Sequence, residues 1–294
     1  MAEWKGKSRG NKAGHQFFVL LLKNLGLYPA YTFLLFIAAY FYFFATADVK
    51  KWMRYYFSER IGFSKWKTEW KIYQNYFLLG QVLIDKVAIL SGMANKFGRT
   101  SNGAEYLHAA IAENKGTILL GAHLGNWEIS GHFLSTYLGK VNILMYDGED
   151  GKIKDYLENE TNEKRFNVIN IKNDLSHVYA ISEALERNEL VCIHGDRFME
   201  GNRTVSVPFL GKEAQFPFGV FQLIKSVRAN YTFVYGIKTG LTHYDFYARP
   251  HRSATAESKV EDMIKDYVTD LEGMVKNNPE QWFNYYDFWK AKTS

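Results

Sequence analysis

Helical hydrophobic spacing alternates with short apolar runs over most of this chain. Apolar positions recur with a helical period at 104–114, 127–138, 152–166, 175–187, 218–228 and 260–276. Between them lie runs typical of buried strands, at 117–121, 141–145, 168–171, 190–194, 231–237 and 242–248. Strands that alternate with helices predict an α/β fold, with a mainly parallel sheet covered by helices on both faces.

The N-terminal part has a different pattern. Basic residues precede position 13, and residues 24–47 carry no charge, a stretch long enough to cross a bilayer. It is too long for the apolar part of a typical signal peptide, so we expect a helical membrane anchor. Whether the anchor spans the bilayer or lies in one leaflet stays open, because both flanks are basic and Gly26 and Pro29 can bend a helix.

Residues 49–94 continue as helical sequence in which aromatic and basic residues are interleaved. Such a pattern is typical of helices at a lipid interface, although a helix pair that packs in a core is the alternative. The chain is thus predicted to comprise a basic head and membrane anchor (1–48), aromatic interfacial helices (49–94) and an α/β catalytic domain (95–294).

Composition supports contact with a membrane. Aromatic residues make up 17% of the chain, and aromatic rings suit a boundary between apolar and wet surroundings. A formal net charge of +5 is a mild bias that would assist binding to an anionic bilayer, and no nucleic-acid-binding motif accompanies it. The single cysteine, Cys192, excludes an internal disulfide, and its apolar neighbours indicate a buried thiol.

The first candidate for chemistry follows the strand at 117–121. Here a histidine, His123, and a carboxylate, Glu128, flank a turn that contains Gly125 and Asn126, and Asn126 is a good N-cap for a helix that starts at about Trp127. An imidazole held by a carboxylate suits acid/base catalysis, and free amides at the helix start favour nearby negative charge. An ordinary strand-to-helix turn is the alternative, because a histidine and a glutamate five residues apart occur by chance.

A second polar group follows the strand at 190–194. Asp196 and Arg197 come directly after it, and Arg203 lies in the next turn. Arginines beside glycine-rich turns bind phosphate through forked hydrogen bonds, so a substrate-binding role is one interpretation. A turn-capping aspartate and solvated arginines are the other.

Taken in order, these segments resemble a known family. They read G-A-H-L-G-N-W-E at 121–128, H-G-D-R at 194–197, V-P-F-L-G at 207–211, F-P-F-G at 216–219 and P-E-Q-W at 279–282. This set is similar to the lipid A biosynthesis (late) acyltransferases, within the lysophospholipid acyltransferase superfamily.

The resemblance implies an enzyme of the bacterial cytoplasmic (inner) membrane, with its catalytic domain on the cytoplasmic side. It would move a fatty acyl chain from acyl carrier protein or coenzyme A to a lipid acceptor such as a lipid A precursor, without a cofactor or metal. His123 would be the general base and Glu128 its partner. Asn126, Asp196, Arg197 and Arg203 would bind substrate, with Arg197 on phosphate or on the oxyanion.

One departure from the family concerns the acceptor. Relatives that act on lipid A commonly carry an arginine after the strand at 141–145, where this chain has an acidic cluster at 147–150. An aminolipid or another acceptor therefore stays open, as does a protein that binds lipid without turnover. The chain has no G-x-S-x-G or H-E-x-x-H segment, which argues against a serine hydrolase and a zinc peptidase.

Overall fold

The computed structural model describes residues 12–126, 129, 140–146, 166–171, 174 and 176–290. The acidic cluster at 147–150 and Glu128 lie outside the described residues. So do the helices predicted at 127–138 and 152–166, apart from Ile129, which is helical, and Phe166, which begins a strand. Eight α-helices are described: α1 (Lys12–Leu25), α2 (Leu27–Phe44), α3 (Ala47–Arg54), α4 (Lys65–Ala88), α5 (Ala104–Ala112), α6 (Ser176–Glu186), α7 (Phe218–Ser226) and α8 (Val260–Asn277). A π-helical turn (Tyr55–Arg60) connects α3 to α4, and a second one (Ile89–Met93) follows α4.

Ten strands accompany them in the described part of the chain. They are β1 (Gly98–Asn102), β2 (Thr117–Gly121), β3 (Val141–Tyr146), β4 (Phe166–Ile171), β5 (Leu190–His194), β6 (Thr204–Phe209), β7 (Lys212–Pro217), β8 (Asn230–Gly240), β9 (His243–Ala248) and β10 (Arg252–Ser253). The predicted bounds of β2 and β5 are confirmed. The edge strand β1 and the antiparallel β6–β7 hairpin were not predicted.

One sheet forms the centre of the fold, in the order β1-β9-β8-β2-β5-β3-β4, and β10 also pairs with β8. The pairs around β2, β3 and β5 are parallel, whereas β8 is antiparallel to β9 and β10. The predicted fold class is confirmed: the sheet is mainly parallel, with an antiparallel part near one edge.

Alternate residues of β2 show that both faces of the sheet are covered. Leu120 packs with α6, α7 and α8 in the largest apolar cluster, whereas Leu119 packs with Leu107 of α5 on the opposite face. Since successive side chains of a strand point to opposite faces, a run buried at every position is expected for a central strand.

The N-terminal helices pack against an edge of this sheet. Gly26, at φ 86°, separates α1 from α2, and the two helices share an apolar cluster with the C-terminal half of α4 and with Tyr244 of β9. Among the described helices, α2 is long and apolar enough to cross a membrane, and 28% of it is buried within the protein.

A buried ionic cluster links these helices to the sheet. Lys238 Nζ of β8 lies 2.6 Å from Asp85 Oδ2 of α4, and both side chains are at most 2% exposed. Tyr31 of α2 and Tyr244 of β9 donate hydrogen bonds to the same carboxylate. Buried ion pairs persist where their charges are paired and hydrogen-bonded, so this cluster fixes how α2 and α4 sit on β8 and β9.

Candidate active site

The candidate site lies where two neighbouring parallel strands end. Gly121, the last residue of β2, pairs in register with His194, the last residue of β5. His123 and Asp196 each come two residues later, so the sheet brings them to the same place. Polar groups at the carboxyl ends of parallel strands form the usual ligand-binding edge of such folds.

His123 and Asp196 make two hydrogen bonds. The Nδ1 of His123 lies 2.8 Å from Asp196 Oδ1, and the backbone N–H of His123 donates to Oδ2 at 3.0 Å. The Asp196 side chain is 1% exposed, whereas that of His123 is 21% exposed. The carboxylate is thus a buried support, and the imidazole is the member of the pair that reaches solvent.

The charge of Asp196 is maintained by its neighbours. Burial works to raise its pKa, but attraction to His123, the hydrogen bond from His123 and the nearby Arg197 bring the pKa well below its usual value. Asp196 therefore stays ionised near neutral pH. An ionised carboxylate that accepts a hydrogen bond from Nδ1 selects the imidazole tautomer with its proton on Nδ1. The other nitrogen of His123, Nε2, then carries no proton and can accept one.

A second histidine completes the group. The ring of His194 packs edge-to-face on that of His123, with 4.4 Å between centroids. Burial lowers the pKa of His194 well below its usual value, and the neighbouring His123 lowers it further, so His194 is neutral at pH 7. The sequence did not predict the contact between His194 and His123, because that contact depends on β5 lying beside β2.

These three side chains could also hold a metal ion. Each offers a ligand atom, and the atoms lie within 4.8 Å of one another. Two imidazoles and a carboxylate are ligands of Zn²⁺, but the hydrogen bond between His123 and Asp196 already accounts for their close approach. The absence of a metal stays a prediction.

The turn after His123 is held from two sides. Gly125 N donates to Gln281 O at 2.9 Å, and Asn126 N donates to Gly236 O of β8 at 2.7 Å. Gly125 has φ +67°, and a Cβ there would lie 2.1 Å from Gly236 O. Only glycine fits such an approach, so the turn specifies where His123 is placed.

Asn126 is buried, with 1% of its surface exposed. Its Oδ1 accepts from Ile129 N at 3.3 Å, the contact expected of the predicted N-cap. Its amide donates to Val82 O at 3.2 Å and to the Tyr244 hydroxyl at 3.4 Å. Asn126 therefore connects the turn to α4 and β9, and its predicted role in binding substrate stays a prediction.

Arg197 and Arg203 occupy different surroundings. Arg197 is half-buried beside Asp196, donates to Phe283 O at 2.6 Å and lies over the ring of Tyr286. Arg203 immediately precedes β6 and is exposed, and its guanidinium lies 3.6 Å from the ring centre of Phe218. Of the two, Arg197 is the one that lies next to the His123–Asp196 pair.

Cys192 lies in β5, two residues before its end at His194. Burial raises the pKa of its thiol to about 12, which agrees with the unreactive thiol predicted from its apolar neighbours.

Comparison with known proteins gives three similarities. The model of the bacterial lipid A biosynthesis acyltransferase family matches residues 64–291. A phosphatidylinositol mannoside acyltransferase of Mycobacterium tuberculosis is 28% identical over 137 residues, which are 45% of this chain and 42% of that protein's length. The crystal structure of a 1-acyl-sn-glycerophosphate acyltransferase from Thermotoga maritima is 14% identical and superposes with a TM-score of 0.37, over 81% of this chain and 95% of that one.

Proposed function

The chain belongs to the bacterial lipid A biosynthesis acyltransferase family, and on that premise we propose that it transfers a fatty acyl chain from an acyl thioester to a membrane lipid. The donor is acyl carrier protein or coenzyme A, and His123 is the general base. The observation that carries this proposal is the partly exposed imidazole supported by a buried carboxylate at the ends of β2 and β5.

The reaction needs few protein groups. His123 Nε2 takes the proton from the hydroxyl or amine of the acceptor as its oxygen or nitrogen attacks the thioester carbonyl. Asp196 stabilises the imidazolium that forms. The tetrahedral intermediate then collapses, the carbon–sulfur bond breaks, and the proton held by His123 goes to the departing thiolate. Acyl transfer by this route needs neither a metal nor a covalent intermediate on the enzyme.

Arg197 supplies the positive charge for this scheme. A guanidinium fixed by a backbone carbonyl and an aromatic ring is preorganised, and preorganised donors stabilise a developing oxyanion or bind a phosphate of the acceptor. Glu128 remains the sequence-based candidate for a second carboxylate partner of His123. Asn126 and Arg203 remain candidates for substrate contacts, Arg203 for an acceptor phosphate.

Three classes of acceptor are candidates. Family membership favours a lipid A precursor, whereas the Mycobacterium tuberculosis relative is named for a mannoside lipid, which favours a different glycolipid. An aminolipid is a third choice. Lipid A enzymes commonly carry an arginine where this chain has acidic residues at 147–150. Acidic residues there favour an acceptor that carries no phosphate on the part facing this segment.

The test is transfer by the purified, full-length protein in nanodiscs. We expect acyl-chain transfer from a radiolabelled acyl carrier protein or coenzyme A thioester to a lipid in an extract of the source membrane, with mass spectrometry naming the product. Release of free fatty acid at an equal rate without any lipid would show a hydrolase instead. Lipid binding without thioester consumption would show a protein that does not turn over.

A surface on α2 and α4 supports placement of this reaction at a membrane. Aromatic side chains of these helices that are 58–88% exposed include Phe36, Tyr40, Phe43, Phe44, Trp66 and Trp70. Trp70 stacks on Tyr73, and Tyr73 packs against Tyr42, so aromatic rings of the two helices are in contact. Exposed lysines accompany it, among them Lys51 and Lys67. Aromatic rings flanked by lysines suit the headgroup region of an anionic bilayer.

This aromatic surface gives a prediction about depth in the membrane. A Trp66→Cys variant labelled with an environment-sensitive fluorophore, in nanodiscs, is expected to be quenched by brominated lipids several-fold more than a Tyr179→Cys variant. Tyr179 is the matched control, since it is 74% exposed on α6 in the α/β part. The buried Cys192 thiol should leave the label at the engineered site. Equal quenching at both sites would contradict membrane contact through α4.

A further inference from the structure

The proposed function uses the 279–283 segment only through the Phe283 carbonyl that fixes Arg197, although its P-E-Q-W residues belong to the family resemblance. In the structure it runs beside the turn that carries His123. Phe283 N donates to His123 O at 3.1 Å, and Gly125 N donates to Gln281 O at 2.9 Å. The segment thus pairs with the turn on the side away from Gly236, in the manner of a short strand.

Gln281 fixes this segment to the sheet. Its Oε1 accepts from Lys238 N at 2.9 Å, and its Nε2 donates to Lys238 O at 2.8 Å. The side chain is buried, with 4% exposed. One amide therefore satisfies both backbone groups of a β8 residue, two residues beyond the Gly236 carbonyl that holds Asn126.

The same segment also holds the positive group of the site. The guanidinium of Arg197 donates to Phe283 O at 2.6 Å, two residues after Gln281. From the other direction, Asn75 of α4 donates to Glu280 O at 3.0 Å and to Trp282 O at 3.3 Å. The base and the arginine are thus attached to one stretch of backbone, whose position is set by Gln281 and Asn75.

We propose that Gln281 is a positioning residue for acyl transfer: it anchors the 279–283 segment on β8 and thereby sets the placement of His123 relative to Arg197. This inference rests on the proposed function. It assigns the glutamine no contact with substrate. Its effect on the rate comes from geometry, since displacing a catalytic group by about 1 Å can cost roughly 100-fold in rate.

The test compares Gln281→Met with Gln281→Glu. Methionine has a similar length but makes neither hydrogen bond, whereas glutamate keeps the acceptor for Lys238 N and, when protonated, a donor for Lys238 O. We expect kcat to fall by about 10- to 100-fold in Gln281→Met, with an unchanged KM for the thioester. In Gln281→Glu we expect kcat to be largely restored only at a pH at which the glutamate is protonated and can make both hydrogen bonds.

A spectroscopic readout separates positioning from folding. The proton between His123 Nδ1 and Asp196 is expected to give a low-field resonance in histidine-labelled protein, which its loss in His123→Ala would assign. We expect this resonance to shift in Gln281→Met. The matched control is Asn142→Ala: Asn142 is 2% exposed and donates to Glu189 Oε2 and to Leu190 O, at the opposite end of β3 and β5.

The outcomes are distinct. A fall in kcat and a shifted resonance in Gln281→Met, with neither in Asn142→Ala at a comparable loss of thermal stability, support the proposal. Unchanged kcat in folded Gln281→Met, or an equal fall in Asn142→Ala, overturns it. Wild-type protein that transfers no acyl chain overturns the proposed function instead. If Gln281→Met does not fold, the test uses Gln281→Glu at a pH at which its carboxyl is ionised and cannot donate to Lys238 O. Wild-type kcat under that condition overturns the proposal.

Discussion

Replacement of His123 by alanine is expected to slow acyl transfer by roughly 10²–10⁴-fold, the usual cost of losing a general base. Without the imidazole, the acceptor must attack the thioester while its proton remains in place or goes to water. Rates are measured with acyl thioester and lipid acceptor in nanodiscs, under single turnover, so that product release does not mask the chemical step. Binding of the donor should be nearly unchanged, because the proposed role of His123 is in the transition state.

His251→Ala is the matched control for this variant. His251 Nε2 lies 2.7 Å from Glu113 Oε1, and its side chain is 21% exposed, as is that of His123. The two histidines thus have the same type of partner and the same exposure, but Glu113 comes just before β2, at the opposite end of the sheet from His123. Full activity is expected in His251→Ala. Full activity in His123→Ala would refute the proposed base.

The two strands that carry the site could be predicted from sequence, because they are buried on both faces. The runs at Thr117–Gly121 and Leu190–His194 consist largely of apolar residues, and their bounds agree with β2 and β5. By contrast, β1 reads G-R-T-S-N and is exposed at every position, since it lies at an edge of the sheet. A strand without an apolar face gives no hydrophobic pattern to detect.

The order of the strands could not be predicted from one sequence, and the partner of His123 depends on it. Asp196 was predicted to bind substrate because it follows a strand and precedes arginines. That it supports His123 follows from β5 lying next to β2, with two other strands between them in the chain. A predicted carboxylate near the histidine, Glu128, lies outside the described residues, so the two carboxylates must be compared by experiment.

The contribution of the 279–283 segment was hidden for a related reason. Its contacts to the His123 turn use backbone groups, which every residue type possesses. The amide of Gln281 ties the segment to β8, and glutamine by itself predicts no such role. Family resemblance drew attention to the segment, but its contacts required the three-dimensional structure.

Asp196→Asn is expected to reduce the single-turnover rate by about 100-fold or more, since an asparagine of the same shape cannot stabilise an imidazolium or hold the tautomer that an ionised carboxylate selects. The backbone N–H of His123 can still donate to the side-chain oxygen, so the turn should persist. Asp270→Asn is the control. Asp270 accepts from Arg249 at 2.6 Å, so its loss also removes a carboxylate from a charged pair, on α8 rather than at the end of β5.

The lowered pKa of Asp196 gives this variant a second signature. A carboxyl group whose pKa is depressed in the folded protein contributes stability that is fully present above its unfolded value, near 3.8, and is lost as pH falls through the folded value. Wild-type protein should therefore lose stability below about pH 4 more steeply than Asp196→Asn, in thermal unfolding followed between pH 3 and 7. If both proteins instead lose stability equally and Asp196→Asn also transfers acyl chains at the wild-type rate, the carboxylate neither holds its charge for His123 nor serves the reaction.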